Sequence, residues 1–105
     1  MKLRINPIAL QDLESIKVYI ADELCSSDIA INTVKGIISS YTHLLDFPMM
    51  GKALSGIINI PTDYRFLICN EYMVFYKIEG EFISIYRVFN HRQDFIRILF
   101  SDEVL

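Results

Sequence analysis

Polar and apolar residues alternate from Lys2 to Ile5, the period of a short half-buried strand. Asn6-Pro7 then predicts a helix start, with Asn as cap and Pro at the first helical position. Ala9, Leu13, Ile16, Ile20 and Leu24 follow on one helical face, and Asp12 and Glu14 lie towards the helix start, where its dipole favours them. Cys25-Ser26-Ser27-Asp28 reads as a turn in which Ser26, Ser27 or Asp28 caps a second helix. Its stripe is Ala30, Val34, Ile37, Tyr41 and Leu44, and Phe47-Pro48 ends it. A short link between two such helices predicts an antiparallel hairpin.

Beyond a loop from Pro48 to Gly56 the period changes to that of strands. Ile57 to Ile60 is a short strand candidate, closed by Pro61-Thr62-Asp63. Tyr64 to Cys69, Tyr72 to Ile78 and Phe82 to Phe89 are three more, joined by Asn70-Glu71 and Glu79-Gly80-Glu81. Phe95, Ile96, Leu99 and Phe100 fit a short last helix from Arg92, before a tail, Ser101 to Leu105, expected to fray. The order is β-α-α-β-β-β-β-α. It predicts an α+β fold, a helical hairpin packed on one face of an antiparallel sheet, with residues 1–105 as one domain. Both faces of Tyr72–Ile78 are apolar except at Lys77. Since the hairpin covers one face, the other is expected to belong to a partner.

Composition narrows the classes. Just over half the residues are hydrophobic (52%), yet no run approaches the ~18 apolar residues of a membrane span, and Met1 to Pro7 lacks the apolar core of a secretion signal. A cytoplasmic protein without a membrane segment is expected. Cys25 and Cys69 stand far apart, and His43 and His91 are the only histidines, so free thiols are expected and no metal site. The net charge of −3 lacks the basic excess usual in nucleic-acid binders. From Tyr64 onward five Lys/Arg meet six Asp/Glu, although four of the five arginines fall in that stretch.

Candidate chemistry gathers in RVFNHRQD, Arg87 to Asp94. One reading is structural: Asn90 and Gln93 form a capping box for the last helix, and Arg87 faces solvent or pairs with a carboxylate such as Asp94. Another is a contact surface for a partner. A third is metal-free RNA cleavage, with His91 as acid or base, Arg65, Arg87 and Arg92 holding phosphate, and Tyr86 or Tyr76 stacking on a base. The aromatics of the strands otherwise read as core and cross-strand packing.

Several segments, in order and spacing, resemble the RelE/ParE superfamily of type II toxin–antitoxin toxins. They are Asp12 to Ile20, Phe47-Pro48-Met49-Met50-Gly51-Lys52, Tyr64-Arg65-Phe66-Leu67, Val74 to Gly80, Ile85 to Val88 and His91-Arg92-Gln93-Asp94. The FP…G loop and the RV…HRQD ending look more like the ParE branch. That likeness implies a toxin that inhibits DNA gyrase without catalysis or cofactor and is neutralised by a cognate antitoxin. Arg65, Arg87, His91, Arg92 and Tyr76 are then candidates for target or antitoxin contacts. The alternative it implies is a RelE-like endoribonuclease acting on mRNA at the ribosome, for which His91, Arg65, Arg87, Arg92 and Tyr86 are the catalytic candidates. A further alternative is an inactive member that only binds its antitoxin. Against the nuclease, Lys52 and Lys77 are the only lysines past residue 35, and the tail after Arg97 holds no tyrosine or histidine.

Overall fold

The structure is a computed structural model that describes residues 1–100; the tail expected to fray lies outside the described residues. Strand β1 (Lys2–Ile5) leads into α1 (Pro7–Leu24) and α2 (Ser27–Thr42). Strands β2 (Lys52–Ala53), β3 (Arg65–Cys69), β4 (Tyr72–Glu79) and β5 (Phe82–Asn90) follow, and α3 (Phe95–Phe100) comes last.

The caps fall where the side chains allow. Asn6 accepts a hydrogen bond from the Ile8 amide at 2.9 Å, and Ser26, rather than Ser27 or Asp28, accepts from Ile29 at 3.2 Å. Cys25 takes a left-handed conformation, φ 50°, to turn the chain between the helices. The apolar stripe of α1 is buried at Ala9, Leu13, Ile16 and Ile20, but Leu24 in its last turn is 58% exposed.

The sheet order is β1-β5-β4-β3-β2. Three ladders are antiparallel, but β1 runs parallel to β5, from Lys2 beside Phe82 to Ile5 beside Ile85, so the sheet is mixed rather than wholly antiparallel. The helices and the whole meander supply the long crossover that a parallel neighbour needs. The strand expected at Ile57–Ile60 is absent. Lys52–Ala53 takes the edge beside Arg65 and Phe66, inside the stretch expected to be loop. Leu54 then opens a 3₁₀ turn whose carbonyl receives the amides of Ile57 and Ile58, which diverts these residues from a ladder.

The helical hairpin covers one face of the sheet. There Ala9, Leu13, Ile16, Ala30, Ile37 and Tyr41 meet Val74, Tyr76, Ile83, Ile85 and Val88 in one buried cluster. The opposite face was expected to await a partner; instead the chain closes it. Leu54, Phe66, Met73, Phe75, Phe89 and Phe100 are buried there, with Ile58, Ile60, Tyr64, Phe95, Ile98 and Leu99 packed around them. Fully buried Phe75 is the hub, its ring 5.0 Å from that of Phe89 and 5.6 Å from that of Phe95. The two-sided apolarity of β4 thus reflects a strand covered on both faces. The segment after β2, too irregular to read as a layer from sequence, and the short α3 supply the second cover.

Candidate functional site

The RVFNHRQD junction is organised by Asp12, a residue expected only to favour the helix dipole. Arg87 donates from Nε to Asp12 Oδ2 at 2.8 Å and from a terminal nitrogen to Oδ1 at 3.0 Å. The amide of Val88 donates to the same Oδ2 at 2.9 Å. Strand β1 ends beside Ile85, and the carboxylate takes over the β5 edge just beyond it. A bidentate pair with a third, backbone donor fastens α1 to β5. The hydrogen bond to Asp12 raises the Arg87 pKa further above its usual range, against the opposing effect of burial. Arg87 therefore pairs with Asp12 and not with Asp94. Asp94 instead accepts from the Arg97 amide at 3.2 Å, capping α3. The capping box of Asn90 and Gln93 does not form. The Asn90 side chain accepts from the Arg92 amide at 2.8 Å and its carbonyl from Gln93 at 3.0 Å, a turn that closes before the helix starts.

Arg65 and Tyr76 do local structural work around the FP…G loop. The Tyr76 hydroxyl donates to the Pro48 carbonyl at 2.9 Å and accepts from the Gly51 amide at 3.0 Å. Arg65 donates to the carbonyls of Gly51 and of Met49 (3.3 Å), while its Nε is buried without a partner. Gly51 is required by proximity: a Cβ there would lie 2.5 Å from the Tyr76 oxygen and 2.7 Å from the Phe66 carbonyl oxygen. Tyr76 is fully buried and offers no surface to a target. Three separate sequence motifs are thus one hydrogen-bonded unit.

Tyr86 belongs to another neighbourhood. Its hydroxyl donates to the Glu79 carboxylate at 2.9 Å, and Glu79 also pairs with Arg4 at 3.2 Å. The Lys77 ammonium lies 4.5 Å from the Tyr64 ring centre and 5.2 Å from that of Tyr86. Burial, then the bond to Glu79, pushes the Tyr86 hydroxyl up, away from use as a base. His91 and Arg92 are exposed at the end of β5, and the His91 amide is held by the Glu71 carbonyl at 2.9 Å. Arg87 and Arg92 line a depression of about 620 Å³ between α1 and the end of β5. A second, of about 590 Å³, lies between the α1–α2 turn and the β3–β4 turn. Tyr19 and Tyr72 wall both.

The family model described as "ParE toxin of type II toxin-antitoxin system, parDE" matches residues 3–95. The chain belongs to the ParE toxin family. No curated protein matches it. Among solved structures, a chain of the "Chromosomal ParDE TA system from P. aeruginosa" shares the fold with a TM-score of 0.72 at 20% identity, over 86% of this chain and 95% of that one.

This ParE-type toxin has no helix among the described residues long and apolar enough to cross a membrane, and no group of His, Cys, Asp and Glu there is placed to hold a metal ion. Sequence reasoning missed Asp12, Tyr19, Glu23 and Glu71 as residues that shape its surface. Asp12 had one available signal, an acid flanking the buried stripe of α1 in a chain whose last strand carries an arginine. Tyr19 had another, a large aromatic on the polar side of an amphipathic helix.

Proposed function

We propose that this ParE-type toxin arrests growth by binding DNA gyrase, carries out no bond-breaking chemistry of its own, and is neutralised by a cognate antitoxin. Family membership supports the class, and the Asp12–Arg87 pair carries the choice within it. Metal-free RNA cleavage needs cations free to hold phosphate as charge develops on it. Arg87 is committed to a carboxylate, Arg65 to loop carbonyls and Tyr86 to Glu79, which leaves His91 and Arg92 without the rest of a catalytic set.

The test is a supercoiling assay with purified gyrase and purified toxin, alongside expression without the antitoxin. The expected result is loss of supercoiling, with growth arrest and a DNA-damage response. Unimpaired supercoiling, together with mRNA cleavage on ribosomes that His91→Ala abolishes, would assign the chain to the nuclease class instead. Expression without any arrest would make it a family member that has kept only antitoxin binding.

A further inference from the structure

The FP…G loop turns its backbone inward and its side chains outward. Every residue from Phe47 to Gly51 has a backbone group held by a hydrogen bond. The Phe47 amide donates to the His43 carbonyl and the Met50 amide to the Phe47 carbonyl, each at 3.0 Å. Tyr76 grips Pro48 and Gly51, and Arg65 grips Met49 and Gly51. No charged residue interrupts Phe47 to Gly51. The large side chains of this stretch face solvent, Phe47 63%, Met49 66% and Met50 46% exposed, and none of them joins either buried cluster. A fastened backbone therefore presents two neighbouring thioethers. The other two of the four methionines differ. Met73 is 6% exposed, in the cluster around Phe75, and Met1 stands apart beside Lys2, Gly80 and Glu81.

We propose that Met49 and Met50 form a reversible sulfoxidation site, at which a peroxide turns an apolar loop surface polar and leaves the fold intact. The thioether sulfur attacks one peroxide oxygen. An S–O bond forms as the O–O bond breaks, the sulfur is oxidised by two electrons, and the proton of the transferred oxygen leaves with the other hydroxyl as water. Reduction by methionine sulfoxide reductase reverses the step, with two electrons from a dithiol that becomes a disulfide and the oxygen released as water. The fold survives because each clamp on the loop is a backbone bond, and none runs through a methionine side chain. The new oxygens enter solvent, where they need no partner from the protein. At Met73 the same oxygen would be pressed among Phe66, Phe75 and Phe89 without a hydrogen bond, and burial keeps the oxidant out. The site does not depend on what the toxin binds.

The probe is hydrogen peroxide on the full chain, with the oxidised positions read by peptide mass spectrometry over time. Met49 and Met50 should take up oxygen about tenfold or more faster than Met73. The melting temperature of the protein oxidised at the pair should stay within about 4 °C of the parent, the range of a surface change. Retention on a hydrophobic-interaction column should fall with oxidation and return after treatment with the two sulfoxide reductases and dithiothreitol. The double variant Met49→Leu/Met50→Leu keeps the loop apolar without a thioether, so its retention should change much less under peroxide. Met1, Cys25 and Cys69 are common to both proteins and supply the background. Met73 oxidised as fast as the pair, a melting temperature that collapses once the pair is oxidised, sulfoxides that the reductases leave in place, or retention that shifts equally in the double variant would each overturn the proposal.

Discussion

Substituting Asp12 by Ala removes one carboxylate and strips three donors at once. Arg87 loses both of its bonds, at 2.8 and 3.0 Å, and the Val88 amide loses its only partner beyond the end of β1, at 2.9 Å. Breaking a fully buried pair from one side costs about 3–5 kcal/mol because the other charge stays behind, desolvated. Here solvent reaches 28% of the Arg87 side chain and 14% of Asp12, which screens part of that cost. The expected loss for Asp12→Ala is about 2–3 kcal/mol, a fall in melting temperature of roughly 8–20 °C for a domain of this size. Asp12→Asn keeps one acceptor oxygen and should lose about half as much. Urea titration of the single variants, Arg87→Ala and the double variant completes a cycle, in which the double variant should be less damaged than the two singles summed. Asp12→Ala unfolding within about 0.5 kcal/mol of the parent would refute the idea that this pair fastens α1 to the sheet, since surface changes commonly stay inside that range.

Gly51→Ala should destabilise by about 2 kcal/mol or more in urea titration, since the new methyl meets the Phe66 backbone carbonyl as well as Tyr76, and backbone cannot swing aside. Phe100→Ala should cost about 3–4 kcal/mol and increase binding of a hydrophobic dye, because it opens the cover over Phe75. Alkaline pH should erode stability. Burial first, among the causes, raises the hydroxyl pKa values of Tyr41, Tyr72 and Tyr86 above the usual 10.0. Their contribution is complete below pH 10.0 and is lost as pH climbs from there through the folded-state values. The triple Tyr→Phe variant should flatten that decline when unfolding is followed against pH.

Local order was largely readable because it is written in neighbouring residues: the Asn6 cap, the stripe of α1, the Asn70 and Gly80 turns. Long-range pairing was not. That β1 lies beside β5 depends on contacts 80 residues apart, and alternation along Lys2–Ile5 carries no mark of its neighbour's direction. The cover over the second face escaped notice because Leu54, Ile58 and Ile60 reach it from a 3₁₀ turn and bends, where no period exists to detect. Within the candidate site, arginines on strands read as cations facing solvent, holding phosphate or, for Arg87, pairing with a nearby carboxylate such as Asp94. The structure shows two of them, Arg65 and Arg87, spent on carbonyls and a carboxylate that sequence distance had hidden. Even the inward-facing Tyr76 is legible only once the loop that its hydroxyl grips is known.

The parallel seam between the first strand and the last also sets a timetable for synthesis. Lys2 has no place to pair until Phe82 has left the ribosome, and Asp12 has no arginine until Arg87 has followed it. Until β5 has been made the helical hairpin therefore waits with part of its greasy underside open, and the sheet zips shut only when that strand arrives. A chain cut before its final strand lacks both the seam for Lys2–Ile5 and the partner of Asp12, and the interval before closure is one in which a holding protein has the most surface to grasp.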